Sequence, residues 1–212
     1  LEKAHVARSN KPFIISEKNI PIEVLDFIKN TKSKLSLVGK DFNFKKNGNQ
    51  WTWLGKEKKR HGLPLPALRG SHQIINASAA ITCIELLSSV FPVSQAAIRH
   101  GLASVELPAR FQVLPGKPTI ILDVAHNEAA AKMLSKNLDA IGFFPQTIAV
   151  VGMLNDKDAI SIFKPLFKKI DIWIFVDLDE KKAGNRSRTS ISLMNSIKVI
   201  DESAKVYCFN QP

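Results

Sequence analysis

The sequence predicts an α/β protein in two parts, the second built on a mostly parallel sheet, and three observations carry that reading. Residues 119–124, 147–153 and 172–176 are short, nearly all-apolar runs rich in β-branched side chains, the pattern of strands buried on both faces. Helix-length segments, 127–141 and 156–169, alternate with them, and connections of that length return the chain to lay the next strand parallel. Ahead of Leu107-Pro108 the texture differs, with apolar and polar residues alternating around turn residues. A domain boundary is therefore expected near Leu107, separating residues 1–107 from 108–212.

In chain order, Lys11-Pro12-Phe13-Ile14-Ile15 reads as a short strand, followed by a helix from about Pro21, whose fixed φ suits a first helical position. From Leu35 to Trp53 the alternation, broken by Lys46-Asn47-Gly48-Asn49, predicts an antiparallel hairpin. Around Leu63-Pro64-Leu65-Pro66 the chain must be extended, because each proline pushes its predecessor away from helix. A helical pair follows: Ile75, Ala79, Leu86 and Val90 recur near helical spacing, and Ser94 is placed to cap a second helix carrying Ala97, Ile98 and Leu102. In the second part, Asn127 can cap the helix that Gly142 and Pro145 close.

Composition narrows the function classes. At 212 residues and 45% hydrophobic content the chain can bury one sizeable core or two modest ones. No apolar run approaches the roughly 20 residues of a membrane span, and Leu1-Glu2-Lys3-Ala4-His5 lacks a signal peptide's basic-then-apolar order. A soluble, cytoplasmic chain with no membrane partner is expected. Cys83 and Cys208 lie far apart, form no metal-ligand spacing, and are read as buried thiols. The net charge of +11 favours anionic partners: nucleic acid, nucleotide phosphates or a polyanionic small substrate. Much of the excess sits in Lys56-Glu57-Lys58-Lys59-Arg60 and around Lys45 and Lys46, which read as a solvated hairpin or loop face. A basic nucleic-acid-binding module is the rival reading, with charge as its sole support.

In an open parallel sheet, ligands bind beyond the carboxyl ends of the strands, and two sequences occupy such ends. In Asp123-Val124-Ala125-His126-Asn127 the strand closes on a carboxylate that can hold ribose hydroxyls as a fork. His126 can orient a substrate or transfer a proton, although a lone histidine is more often structural. In Gly152-Met153-Leu154-Asn155-Asp156-Lys157-Asp158, helix capping and dipole complementation compete with a ligand role for both aspartates. The sequence contains no G-x-x-x-x-G-K-[ST] phosphate loop, G-x-G-x-x-G, G-x-S-x-G or H-E-x-x-H.

Three segments in order change the reading: Leu107-Pro108-Ala109-Arg110-Phe111-Gln112, Ile121-Leu122-Asp123-Val124-Ala125-His126-Asn127, and Val151-Gly152-Met153-Leu154-Asn155-Asp156-Lys157-Asp158. Together they resemble the folylpolyglutamate/dihydrofolate synthase family, where LPGRFQ-like, DVAHNP-like and GML-x-DKD segments follow one another at about this spacing. Upstream, Glu2-Lys3-Ala4 and Arg8-Ser9-Asn10-Lys11-Pro12 are similar to the family's EKAGI and RxxKP stretch, so the resemblance covers nearly the whole chain. It implies a Mur-ligase-like fold, with residues 1–107 the C-terminal part of the central ATPase domain and 108–212 a truncated Rossmann-like ligase domain. It also implies a chain cut at both ends and inactive alone, the phosphate loop and magnesium ligands preceding Leu1 and a final strand and helix following Pro212.

The implied activity is ATP-dependent ligation of L-glutamate to dihydropteroate or a folate γ-carboxylate through an acyl phosphate, with ATP and Mg²⁺ required. Carried over by position, Asn76 meets the adenine, Arg110 the phosphates and Asp123 the ribose. His126 lies near the reacting centre and incoming glutamate, with Asp156 and Lys157 on that side. Lys3 matches the lysine that becomes a carbamate and helps hold magnesium, an oxygen donor suited to a hard cation; the plain reading is a surface lysine. Departures are Ala109 for a glycine, implying a backbone that does not strictly need positive φ, His5 for a glycine, and Glu128-Ala129 after Asn127. A peptidoglycan-type Mur ligase would share the architecture, and a noncatalytic regulatory fragment is a third rival. The partners expected are small molecules, with no nucleic acid, and the expected state is a monomer.

Overall fold

The computed structural model describes residues 2–70, 72–179 and 183–210, and the chain divides into two compact units, Leu1–Leu107 and Pro108–Pro212. The first opens with a 3₁₀ turn, Glu2–Val6, then β1 (Pro12–Ile15), α1 (Ile22–Asn30) and β2 (Lys34–Leu37). β1 and β2 pair in parallel over Ala4, Ala7 and Ile28. Pro21, with φ −55 and ψ 141, stands one residue ahead of the expected place, outside the helix. Leu35 and Leu37 thus belong to a separate parallel pair, and the hairpin is confined to β3 (Phe42–Asn47) and β4 (Gln50–Gly55), turned at Gly48 with φ 58.

A third antiparallel strand, β5 (Lys59–Pro64), completes a β3-β4-β5 sheet. Trp51 and Trp53 on β4 are 1% and 3% exposed. Their indole N–H groups donate to the Pro64 carbonyl at 2.8 Å and to Thr82 Oγ1 at 3.0 Å, so these large apolar bodies are buried without an orphaned donor. α2 (Gln73–Leu86) and α3 (Gln95–Ser104) pack against this sheet. Ser94 caps α3 as expected, accepting from the Ala97 amide, but α2 ends before Val90. The basic run is largely paired: Lys56 with Asp41 at 2.7 Å, and Arg60 with Glu85 at 2.5 Å. Cys83 is exposed and Cys208 half-buried, correcting the expectation of two buried thiols; Cys83 is on the outer face of α2, and Cys208 lies near the sheet end, where its Sγ contacts the Ser190 carbonyl.

In the second unit, β6 (Gln112–Leu114) and β7 (Ile120–Leu122) form an antiparallel pair. Then follow α4 (Glu128–Ala140), β8 (Ile148–Val151), α5 (Ala159–Phe163), β9 (Ile172–Val176), α6 (Ser190–Ile200) and β10 (Val206–Phe209). β10, β9 and β8 pair in parallel in that order. The helix expected over 156–169 is shorter, starting after its Asp158 cap and ending ahead of Pro165, which lacks an amide donor; a 3₁₀ turn, Phe167–Lys169, follows. α6 and β10 were not anticipated.

The core gathers Ala131 of α4, Phe163 of α5, Trp173 and Phe175 of β9, and Leu193 and Ile197 of α6. Each large apolar side chain fully buried there contributes about 1.5–3 kcal/mol. The expectation of strands buried on both faces fails on the other side: Ile148, Val150 and Tyr207 are 50%, 66% and 57% exposed. Alternation within β8 sends Ala149 and Val151 to the core and the residues between them outward. Among the described residues no helix is long and apolar enough to cross a membrane.

Candidate functional site

At the carboxyl end of β7, Asp123 serves as a two-sided acceptor. Its Oδ2 accepts from the Phe111 amide and its Oδ1 from the Ala125 amide, both at 2.8 Å. The Val124 amide donates to the Ala109 carbonyl at 3.0 Å, and the Ala109 amide to Gln112 Oε1 at 3.1 Å. Presenting the Phe111 N–H requires a left-handed backbone at Ala109 (φ 56) and Phe111 (φ 49). The expectation drawn from alanine at 109 is therefore overturned. A single methyl makes this region costlier by about 1–2 kcal/mol without forbidding it, and the surrounding hydrogen bonds and the buried Phe111 ring, 4% exposed, hold it there. Arg110, between these two residues, is exposed.

Capping of the following helix falls to Asn127, whose Oδ1 accepts from the Ala130 amide at 2.9 Å. Asp123 is thereby spared that task, and each of its oxygens retains a second lone pair for a ligand. His126 Nδ1 lies 2.9 Å from the Val124 carbonyl. Because a carbonyl only accepts, Nδ1 carries the proton and Nε2 is the basic nitrogen of an exposed ring. Glu128 pairs with Lys132 one turn along α4, at 2.5 Å.

Beyond β8, Asp158 caps α5 by accepting from the Ser161 amide at 3.2 Å, whereas Asp156 takes no part in capping. Its Oδ2 accepts from Lys157 Nζ at 2.6 Å, and Arg186 stands 3.9 Å from its Oδ1. The hydrogen bond from Lys157 holds the Asp156 carboxyl below the usual carboxylate range against opposing desolvation, with the charges of Lys157 and Arg186 acting in the same direction. Gly152 permits close approach at the strand end: a Cβ there would fall 2.4 Å from Leu178 Cδ2. The turn rests on a later segment, with an isolated antiparallel bridge between Leu154 and Ser187. The Asn155 amide donates to the Arg186 carbonyl at 2.7 Å and its Nδ2 to the Ser187 carbonyl at 2.9 Å.

The first unit holds the remaining candidates. Asn76, exposed in the first turns of α2, donates through Nδ2 to Gln73 Oε1 at 3.2 Å, which orients its Oδ1 acceptor. Lys3 is exposed on the opening 3₁₀ turn. Among the described residues no group of three or more His, Cys, Asp or Glu side chains could hold a metal. Carbamylated Lys3 would be a single oxygen donor, well short of an octahedral magnesium shell, so these residues do not form a metal cradle. Arg110, Asp123 and His126 thus share one assembly, and Asp156 and Lys157 another. Sequence reasoning missed the Phe111 amide and Asn155, whose contacts lie 12 and 32 residues away and leave no local signal, and Gln112, whose contact with Ala109 spans three residues.

Residues 109–210 match the family described as Mur ligase, glutamate ligase domain. The chain is 32% identical over 212 residues to the dihydrofolate synthase/folylpolyglutamate synthase of Buchnera aphidicola subsp. Acyrthosiphon pisum, covering 97% of this chain and 50% of that protein. Its likeness to the Escherichia coli K12 protein of the same description is 32% over 196 residues, covering 92% and 44%. The solved structure of E. coli FolC in complex with DHPP and ADP superposes with a TM-score of 0.83 at 31% identity, covering 99% of this chain and 47% of that one. A bifunctional folylpolyglutamate synthase/dihydrofolate synthase with Mn, AMPPNP and L-glutamate bound gives 0.80 at 32%, covering 98% and 47%. The chain spans about half the length of the curated relatives it matches.

Proposed function

This chain belongs to the folylpolyglutamate/dihydrofolate synthase family of Mur ligases, and from that premise we propose that the full-length protein joins L-glutamate to dihydropteroate or a folate γ-carboxylate at the expense of ATP. The observation that carries the reading is the Asp123 fork, held at a strand end with Arg110 on the adjoining left-handed turn. A carboxylate with free lone pairs suits ribose hydroxyls, and a permanently charged planar cation suits phosphate. Residues 1–107 act as part of the ATPase domain and 108–212 as the glutamate ligase domain. The protein works as a cytoplasmic monomer on small molecules.

In the reaction, a carboxylate oxygen of the acceptor attacks the γ-phosphorus of ATP, ADP departs, and an acyl phosphate forms. The glutamate amine then attacks the acyl carbon, the amide bond forms as the bond from that carbon to the bridging oxygen breaks, and phosphate leaves with that bridging oxygen. Arg110 offsets charge on the phosphoryl group, Asn76 reads the adenine, and His126 Nε2 takes the proton released by the amine. Lys157, with Asp156, faces the anionic amino acid. Lys3, if carbamylated, would supply one oxygen donor to a magnesium ion, which would offset phosphate charge.

The test is phosphate release by the full-length protein with ATP, glutamate and either dihydropteroate or a reduced folate, repeated with Asp123→Ala. Release that needs both acceptor and glutamate and falls at least about tenfold in the variant at limiting ATP, as loss of hydrogen bonds to a charged group does, supports the reading. No release with either acceptor sinks it and directs attention to peptidoglycan-type substrates.

A further inference from the structure

We propose that Arg188, which none of the roles above uses, is the positioning residue of the glutamate side: it spans the turn from Met153 to Lys157 and fixes the backbone from which Lys157 presents its ammonium. The inference rests on the ligase reading for the identity of the anion. Its geometry stands apart from that reading. The Arg188 amide donates to the Met153 carbonyl at 2.9 Å, and its Nη1 donates to the Lys157 carbonyl at 3.2 Å. One residue therefore grips both ends of a five-residue turn, while Asn155 pairs with the Arg186 and Ser187 carbonyls in the middle.

The support behind Arg188 is itself anchored. Ser187 Oγ accepts from the Leu178 amide at 3.0 Å, Asp177 Oδ1 accepts from the Ser190 amide at 2.5 Å, and Thr189 Oγ1 caps α6 through the Ser192 amide. These contacts tie residues 187–190 to the end of β9, whose buried aromatic side chains sit in the core. Main-chain bonds and the Asn155 side chain dock the turn. The guanidinium adds a different constraint, because it reaches the peptide plane between Lys157 and the capping Asp158. A lysine ammonium on a four-carbon stem is a mobile point charge, and fixing its backbone origin narrows where the charge can go. Asp156, hydrogen-bonded to that ammonium, narrows it further. Arg188 thus acts through Lys157 rather than on substrate.

The experiment compares wild type, Arg188→Met and Arg188→Lys in the full-length protein, with initial rates over glutamate and ATP and a thermal melt of each. Arg188→Met keeps the stem and the main-chain bond but loses the donor. It is expected to raise KM for glutamate about tenfold, the order brought by losing one charge-assisted hydrogen bond, with kcat and KM for ATP within about twofold and the melting temperature near wild type. Arg188→Lys, able to donate once to the same carbonyl, is expected to recover most of the glutamate KM. An unchanged glutamate KM in Arg188→Met, equal effects on ATP and glutamate, or no recovery in Arg188→Lys at a normal melting temperature would overturn the proposal. Should Arg188→Met melt early, faster amide exchange at Asn155 with glutamate KM unchanged overturns it, whereas faster exchange together with raised KM supports it. Wild-type turnover independent of glutamate is a separate outcome: it removes the ligase reading and this inference with it.

Discussion

The turn after β7 is tied by hydrogen bonds of short reach, Phe111 to Asp123 being 12 residues apart, whereas the turn after β8 leans on contacts 31 and 32 residues downstream. Both occupy the same kind of place, the carboxyl end of a strand, yet they differ in what must form first. The Asp123 turn can assemble once the β6–β7 pair exists. The Lys157 turn needs β9 and the lead into α6, so its order carries the larger loop-closure entropy. The turn at Asp123 can thus be built locally, while the turn at Lys157 depends on the finished unit.

The largest test of that contrast is Asp123→Ala, which leaves the Phe111 and Ala125 amides without their carboxylate. Denaturant unfolding of the second unit should show a loss of about 2 kcal/mol, in the range for hydrogen bonds to a charged group. Asp123→Asn, with a single acceptor oxygen, should lose about half as much. Unaltered stability in both would mean that the 109–112 turn holds itself. Asn155→Ala should come next, at about 1 kcal/mol for one side-chain bond. Amide exchange should quicken from 154 to 157 and stay unchanged from 123 to 126; equal loosening of both turns would erase the distinction drawn here.

Ala109→Gly is expected to be smaller and opposite in sign. In ordinary positions this change costs about 0.5–1 kcal/mol, but at φ 56 relief of the Cβ clash should leave stability equal or higher. A loss of about 1 kcal/mol in the same unfolding assay would argue against the left-handed backbone. The smallest effect concerns Asp156. Because the Lys157 hydrogen bond lowers its folded pKa, the pair should survive as pH falls through the ordinary aspartate value of about 3.9 and dissolve only below it. The sign follows from linkage: any stabilisation it lends is present above the unfolded value and lost through the depressed folded one. Carboxyl NMR showing Asp156 titrating at or above the ordinary value would remove the pairing from the account.

Much of the local structure was legible in the residues. Ser94, Asn127 and Asp158 cap helices three residues ahead of the amides they accept from, a spacing written directly into sequence. Apolar runs marked β8 and β9, and Gly48 marked the hairpin turn. The exposed faces of Ile148 and Val150 were not legible, because an all-apolar run has the same appearance whether one face or two are covered. Nor was the fork of Asp123, since its two acceptors meet amides on either side of a turn that only the β6–β7 register brings together.

By itself, then, the sequence determined many of the strand and helix segments, the caps at Ser94, Asn127 and Asp158, and the ordered motifs that mark the family, all features encoded within a few residues or in their spacing. Tertiary structure alone decided the left-handed backbone at Ala109 and Phe111, the division of labour between Asp123 and Asn127, and the docking of the Lys157 turn on Arg186, Ser187 and Arg188. The physical reason is distance along the chain. A cap answers an amide three residues away, whereas the strained turn and the docked turn balance backbone strain and hydrogen bonds against groups 12 to 35 residues off, and local propensity carries no record of such contacts.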